Sequence, residues 1–263
     1  MKNRLNVFII TDLEGIAGVD DIADIDRTSP RFAAARQKLT DSINLAVSAC
    51  FEAGATAVYC MDGHGGGGNV YAEKIDARAE LCSVARWEEL LRAGEIDCQM
   101  ELGSHARAGT ACGFLDHTIS SKQNYYIKHN GREMSEFALQ ATLCARYGVP
   151  LCAVIGDRAA CLQAREYVPN VFVGALKEAN CRNHATSYEN ADEILADTVK
   201  AALAGYREVS LIAVKEPLIV EQAYYRTDMC EDAMTRCPKV RRVDARTLEK
   251  TVKEISSYAD LMI

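Results

Sequence analysis

Short apolar runs separated by amphipathic stretches set the rhythm of the first two thirds of the chain. Leu5 to Ile10, Thr56 to Met61, Cys98 to Leu102 and Pro150 to Ile155 are compact, with β-branched, aromatic or sulfur-bearing side chains and no helical stripe. Runs of this length, bounded by polar residues and glycine, predict buried strands. Between the first two, Phe32, Ala35, Leu39, Ile43, Ala46, Val47 and Cys50 recur at helical spacing over Arg31 to Ala53. Pro30 opens that segment and Gly54 is placed to end it. Ser83 to Leu91 reads as a second helix, closed by Gly94. Tyr125 to Lys128 and Arg132 to Met134 flank Asn130-Gly131, a hairpin-turn signal. Ser135 can then cap a helix carrying Phe137, Leu139 and Leu143, stopped by Gly148.

Strands alternating with helices imply an α/β fold, a three-layer α/β/α sandwich on a mostly parallel sheet. From about Phe172 the pattern changes. A helix over Ala191 to Leu203, a strand-like stretch from Val209 to Tyr225, a strand at Val240 to Val243 and a helix over Thr247 to Tyr258 suggest a smaller C-terminal α+β domain. The expected division is a catalytic α/β domain over 1–175 and the smaller unit over 176–263.

Composition narrows the classes. The 263 residues are 49% hydrophobic and 25% charged, with a net charge of -7 and no Lys/Arg cluster, which argues against nucleic acid as a partner. No segment approaches the length of a membrane span, and the apolar run after Met1-Lys2-Asn3-Arg4 is too short for a signal peptide. Of the 11 cysteines none forms Cys-x-x-Cys, and Cys50, Cys60, Cys144, Cys152 and Cys161 lie inside apolar runs. Free thiols in a reduced cytoplasm account for them better than a disulfide framework.

The chemistry gathers just past the strand ends. Thr11-Asp12-Leu13-Glu14-Gly15 follows the first strand, and alternation would project Asp12 and Glu14 to the same side. Alone, such a pair is compatible with a polar strand exit. Two of the five histidines, His64 and His105, also follow strands in glycine-containing loops, where a ligand can come close to the backbone. Open α/β sheets bind ligands at the carboxyl ends of their strands. Carboxylates and imidazoles converging there suit zinc, or less specifically manganese or iron. Glu136 adds a third carboxylate, or simply an acidic side chain favoured by a helix N-terminus. The acidic segment with Asp20, Asp21, Asp24 and Asp26 reads as a solvated loop, and His129 and His184 as surface residues. Gly63-x-Gly65-x-x-Gly68 matches a dinucleotide fingerprint by letter, but no helical stripe opens at its third glycine.

Over most of the first 160 residues these motifs resemble peptidase family M55, the D-aminopeptidases of the DppA type. Thr11-Asp12-Leu13-Glu14-Gly15 is similar to the family's Ser-x-Asp-x-Glu-Gly opening, with threonine for serine. Asp62-Gly63-His64 matches its Asp-x-His and Gly103-Ser104-His105-Ala106-Arg107 its Gly-x-His-Ala-Arg. Asp116-His117-Thr118 falls where the family places a catalytic histidine, and Ser135-Glu136 where it places a ligand glutamate. The chain departs from the pattern at Gly65 to Gly68, which replace more polar residues, and at Arg158, where a second aspartate is common.

The resemblance implies two zinc ions per subunit. Asp12 would bridge them, Glu14 and His105 would complete one site, and His64 and Glu136 the other. His117 would act beside the metals as general acid/base or as nucleophile. It further implies short peptide substrates with D-residues at the N-terminus, such as D-Ala-D-Ala, and a ring-shaped homodecamer. Two other readings stay open on the residues alone: a metal-dependent amidohydrolase or phosphoesterase on another substrate, and a non-catalytic peptide- or nucleotide-binding module.

Overall fold

A computed structural model describes residues 4–263. In chain order its elements are β1 (Asn6–Thr11), α1 (Ile22–Ile25), α2 (Phe32–Glu52), β2 (Ala57–Asp62), β3 (Ala79–Leu81), α3 (Val84–Arg92), β4 (Cys98–Ser104), β5 (Asn124–His129), β6 (Arg132–Glu133) and α4 (Glu136–Arg146). There follow β7 (Leu151–Asp157), α5 (Arg158–Tyr167), β8 (Phe172–Cys181), β9 (His184–Ser187), α6 (Ala191–Gly205), β10 (Leu218–Tyr224), α7 (Thr227–Arg236), β11 (Arg241–Arg242) and β12 (Thr247–Val252).

The main sheet has seven strands in the order β3-β2-β1-β4-β7-β8-β9, parallel except for the last, which returns antiparallel to β8. Helices α2 and α6 pack together and α4 touches α5, and each of the four helices rests on the sheet, giving the expected three-layer α/β/α sandwich. Every residue of β1, β4 and β7 is buried. That is why these strands read as continuous apolar runs, since helices cover both faces of a parallel sheet. Helix α2 buries the stripe seen in the sequence, and Gly54 ends it at φ +93°.

Strand order reverses at β1, with β2 on one side and β4 on the other. A crevice opens at the carboxyl ends of strands beside such a switch point. The exits of β1, β4 and β7 are pressed together there. Asp12 N–H donates to the Leu102 carbonyl at 2.8 Å and Gly15 N–H to the Gly103 carbonyl at 2.7 Å. Glycine is required for that approach: a Cβ on Gly103, whose φ is +86°, would stand 1.9 Å from the Asp12 carbonyl oxygen, and one on Gly156 would stand 2.2 Å from that of Ser104.

The smaller sheet is antiparallel, in the order β11-β12-β10-β5-β6. The two sheets do not part at residue 175. β8, β9 and α6 belong to the large sheet, and the β5–β6 hairpin leaves the N-terminal region to join the small one. The expected helix over Thr247 to Tyr258 is strand β12 followed by a short 3-10 turn. Thr247, Thr251 and Val252 are β-branched, and β10 and β11 on its two sides supply backbone partners that outweigh the helical spacing of Leu248, Val252 and Ile255. The strand-like stretch shrinks to β10, which starts after Pro217, a residue with no N–H to give a ladder. The strand at Val240 to Val243 is only two residues long, and helices α5 and α7 were not anticipated.

Gly103→Ala is expected to destabilise the fold by at least about 1–3 kcal/mol from backbone conformation alone. The overlap with the Asp12 carbonyl adds to this. Chemical denaturation checks it, and an unchanged midpoint would show that the β1 and β4 exits have room to separate.

Candidate metal centre

The strand exits carry Asp12, Glu14, His64 and His105 into one place, and α4 brings Glu136 from its first turn. Ser135 caps that helix by accepting the Ala138 N–H at 3.2 Å, as expected of a serine at this position. His64 Nδ1 lies 3.0 Å from Asp12 Oδ1 and 2.9 Å from Glu14 Oε2. His105 Nε2 lies 3.3 Å from Asp12 Oδ2 and 3.3 Å from Glu136 Oε1. The side chains therefore form three overlapping triplets: Asp12 with Glu14 and His64, Asp12 with His105 and Glu136, and Glu14 with His105 and His117. The expected pairing sets Glu14 with His105 and His64 with Glu136, and the third triplet brings Glu14 and His105 together. Glu14 and His64 end adjacent parallel strands, whereas Glu136 reaches His105 from the helix side.

His117 stacks on His105 with ring centroids 3.9 Å apart and planes at 9°, and its Nε2 is 3.5 Å from Glu136 Oε1. The loop that carries it is unusual. Cys112, Leu115 and Ile119 all have positive φ, at 57°, 50° and 66°. A β-branched residue in that region is held there by its surroundings. The Ile119 N–H donates to Glu136 Oε1 at 2.7 Å, so this backbone conformation ties the His117 loop to the carboxylate beneath it.

Backbone carbonyls orient the imidazoles. His105 Nδ1 is 2.9 Å from the Ala106 carbonyl and His117 Nδ1 is 2.8 Å from that of Leu115. With Nδ1–H donating, each Nε2 lone pair faces inward. His105 Nε2 is buried and makes no hydrogen bond with either carboxylate near it. A buried lone pair confronting two carboxylate oxygens calls for a cation or a shared proton, and an imidazole–carboxylate donor set is one that zinc accepts. The residues present thus fit a metal.

The electrostatics agree. Burial alone would push the His64 imidazolium down, but Glu14 and Asp12 outweigh it and hold its pKa up at about 11. His105 is likewise raised: burial opposes its charge, and Asp12 and Glu136 overcome that. Burial would raise Asp12 and Glu136, yet the histidines beside them hold both below the usual carboxylate range.

Next to the triplets opens a cavity of about 980 Å³. Its walls include Gly63–Gly68, apolar side chains such as Leu81, Val84 and Ile119, and the Lys122 side chain. The glycine run is a 3-10 turn over His64–Gly66 followed by loop, and no α-helix opens at Gly68, so the dinucleotide fingerprint is only a coincidence of letters. Asp62 organises it by accepting the Asn69 N–H at 2.7 Å and side-chain amide at 3.0 Å.

Several neighbours were invisible in the sequence. Glu101 lies inside an apolar run on β4, accepts from Gln99 Nε2 at 2.7 Å, and has its carboxyl raised by burial well above the usual range. Asp157, at the end of β7, and Lys177, in the middle of β8, are fully buried. The acidic segment is only partly solvated, since Asp24 is buried and completes a capping box with Asp21 on α1. His184 is exposed, but His129 is a correction: it is buried, with Nε2 2.8 Å from the Leu261 carbonyl.

A mostly parallel α/β sheet whose switch point gathers carboxylates and imidazoles beside a cleft defines an α/β protein with a candidate cation site. The chain belongs to peptidase family M55, described as D-aminopeptidase, whose model it matches over residues 5–262. It is 30% identical over 188 residues to a D-aminopeptidase of Bacillus subtilis strain 168, a match spanning 68% of this chain and 66% of that relative, just under two thirds of its length. Its fold is that of a solved structure, the Zn-dependent D-aminopeptidase DppA from Bacillus subtilis, a self-compartmentalizing protease. The TM-score is 0.89 at 22% identity, covering 98% of this chain and 95% of that one.

The cluster makes the metal-free chain's stability depend on pH. His64 binds its proton more tightly folded, at about 11, than unfolded near 6.5. Its contribution is therefore complete below the unfolded value and is lost as pH rises toward the folded one. Between roughly pH 7 and 10, chelator-treated wild type should lose about 1.4 kcal/mol per pH unit more than chelator-treated His64→Ala. Parallel denaturation curves would show that His64 is not held charged.

Proposed function

We propose that this protein is a binuclear zinc-dependent aminopeptidase that hydrolyses short peptides with N-terminal D-amino acids, D-Ala-D-Ala among them. The observation that carries the reading is the pair of triplets sharing Asp12 around the unpartnered His105 Nε2. Family membership and the activity named for the Bacillus relatives support the reaction and the D-residue preference.

In this reading Asp12, Glu14, His64, His105 and Glu136 would together hold two zinc ions. When bound, such a pair lowers the pKa of a water molecule and polarises a peptide carbonyl. The chain supplies the rest. Carboxylates at the cleft floor attract the free amino terminus of a peptide, which restricts cleavage to the first bond. His117, with its Nδ1 engaged by Leu115 and its Nε2 turned inward, is placed to move a proton at the reacting atoms or to attack them. The cleft walls are apolar around the glycine loop, which suits small side chains without selecting strongly among them.

Eleven free thiols, eight of them buried, support a cytoplasmic location. Among the described residues no helix is long and apolar enough to cross a membrane. The self-compartmentalizing character stated for the Bacillus enzyme, with the family resemblance, supports a ring-shaped homodecamer acting on peptide, with no nucleic-acid partner.

His64→Ala and His105→Ala should each lower the zinc bound per chain and abolish hydrolysis of D-Ala-D-Ala while the protein stays folded. Metal analysis of purified protein checks this, alongside assays on D-Ala-D-Ala, L-Ala-L-Ala and a phosphoester. Full metal occupancy in both variants would remove the ligand assignment, and turnover of the L-peptide or phosphoester alone would remove the substrate.

His117→Ala should keep its zinc and lower kcat by about 10²–10⁴-fold, the usual contribution of one acid/base group. A variant that instead loses zinc would make His117 a ligand.

A further inference from the structure

Lys177 takes no part in the chemistry above, and its position on β8 is unusual. Its side chain has no exposure at all. Lysine is almost never fully buried unless its charge is met locally, because desolvating an ammonium is costly. Here the ammonium is met by the metal-centre loop. Nζ donates to the Glu14 carbonyl at 2.6 Å and to the Val19 carbonyl, and lies 3.6 Å from Asp20 Oδ1. Among the described residues neither carbonyl has another hydrogen-bond partner. The ring of Phe114 closes the remaining side, 4.5 Å from Nζ.

Asp157 is the register partner of Lys177 on β7 and is equally buried. Its Oδ2 accepts the Phe114 N–H at 3.2 Å. Phe114 precedes Leu115, whose carbonyl orients His117. One facing pair on adjacent strands therefore reaches both functional segments: the Glu14 loop through Lys177, and the His117 loop through Asp157.

We propose that Lys177 is a positioning residue for the metal centre. With Asp157 it forms an internal clamp that holds segment 14–19 so that the Glu14 carboxylate is presented to His64 and Asp12. The inference rests on the zinc reading given above and adds to it a residue that touches neither metal nor substrate. Three donors on one small head group are what two bare carbonyls and an aspartate require, and no neutral side chain of similar length offers them. The clamp acts on the ion that Glu14 would hold. The ion that Glu136 would hold from α4 does not depend on Lys177.

The test is zinc binding by purified wild type, Lys177→Met and Lys177→Arg, titrated in competition with a chromophoric chelator. Wild type should bind two ions. Lys177→Met should hold one of them roughly 10- to 100-fold more weakly, the usual effect of losing a group that orients a ligand, and keep the other unchanged. Lys177→Arg, which keeps charge and donors, should recover part of the loss. A folded Lys177→Met with wild-type affinity at both sites overturns the clamp, even if it melts at a lower temperature, because a merely structural role moves the melt alone. Wild type that binds no zinc overturns the metal reading instead. If Lys177→Met does not fold, hydrogen exchange on zinc-free wild type decides. Protection of the Gly15 to Val19 amides without metal supports the clamp, and free exchange there overturns it.

Discussion

Three carboxylates, those of Asp12, Glu14 and Glu136, lie at the floor of one cleft, each mostly buried and Glu14 almost fully so. Like charges so close cannot all stay ionised without positive charge among them. His64 and His105 sit between them and are drawn toward the charged form by that field. Protons on the imidazoles meet that need, and the same gaps are where a cation could sit. Everything near it serves to keep these groups from drifting apart.

The fold meets that demand with backbone. At the switch point of the sheet, the exits of β1 and β4 are fastened by amide–carbonyl bonds, and glycines let them touch. The His117 loop is held in an unfavourable conformation at Ile119 by its bond to Glu136. Lys177 closes the far side of the Glu14 loop from within the protein. Side chains placed at rigid strand ends keep their geometry better than side chains on free loops.

A good part of this was legible in the residues. The central strands and helix α2 followed from apolar runs and helical spacing because burial on both faces of a parallel sheet leaves an unambiguous pattern. Asp12, Glu14, His64 and His105 stood out because polar residues that interrupt such runs at strand ends have few other reasons to be there. The C-terminal part was misread where local pattern and tertiary partner disagreed. Residues 247–258 carry a helical spacing, and β10 recruits the first half of them into a sheet. The β5–β6 hairpin was seen, but nothing local says which distant strand it joins.

What the sequence determined by itself was therefore the local and the periodic: strands, helix caps, the glycine at the end of α2, and the kinds of donor atoms available at the strand ends. Only the tertiary structure decided how those donors group. It brought Glu14 beside both His64 and His105, set Glu136 beside His105, stacked His117 on His105, and buried Lys177, Asp157 and Glu101 around them. The reason is physical. Periodicity and capping depend on neighbours within a turn or two of chain. Which lone pair meets which carboxylate depends on strand order and close approach between segments far apart in sequence, and no local pattern records that.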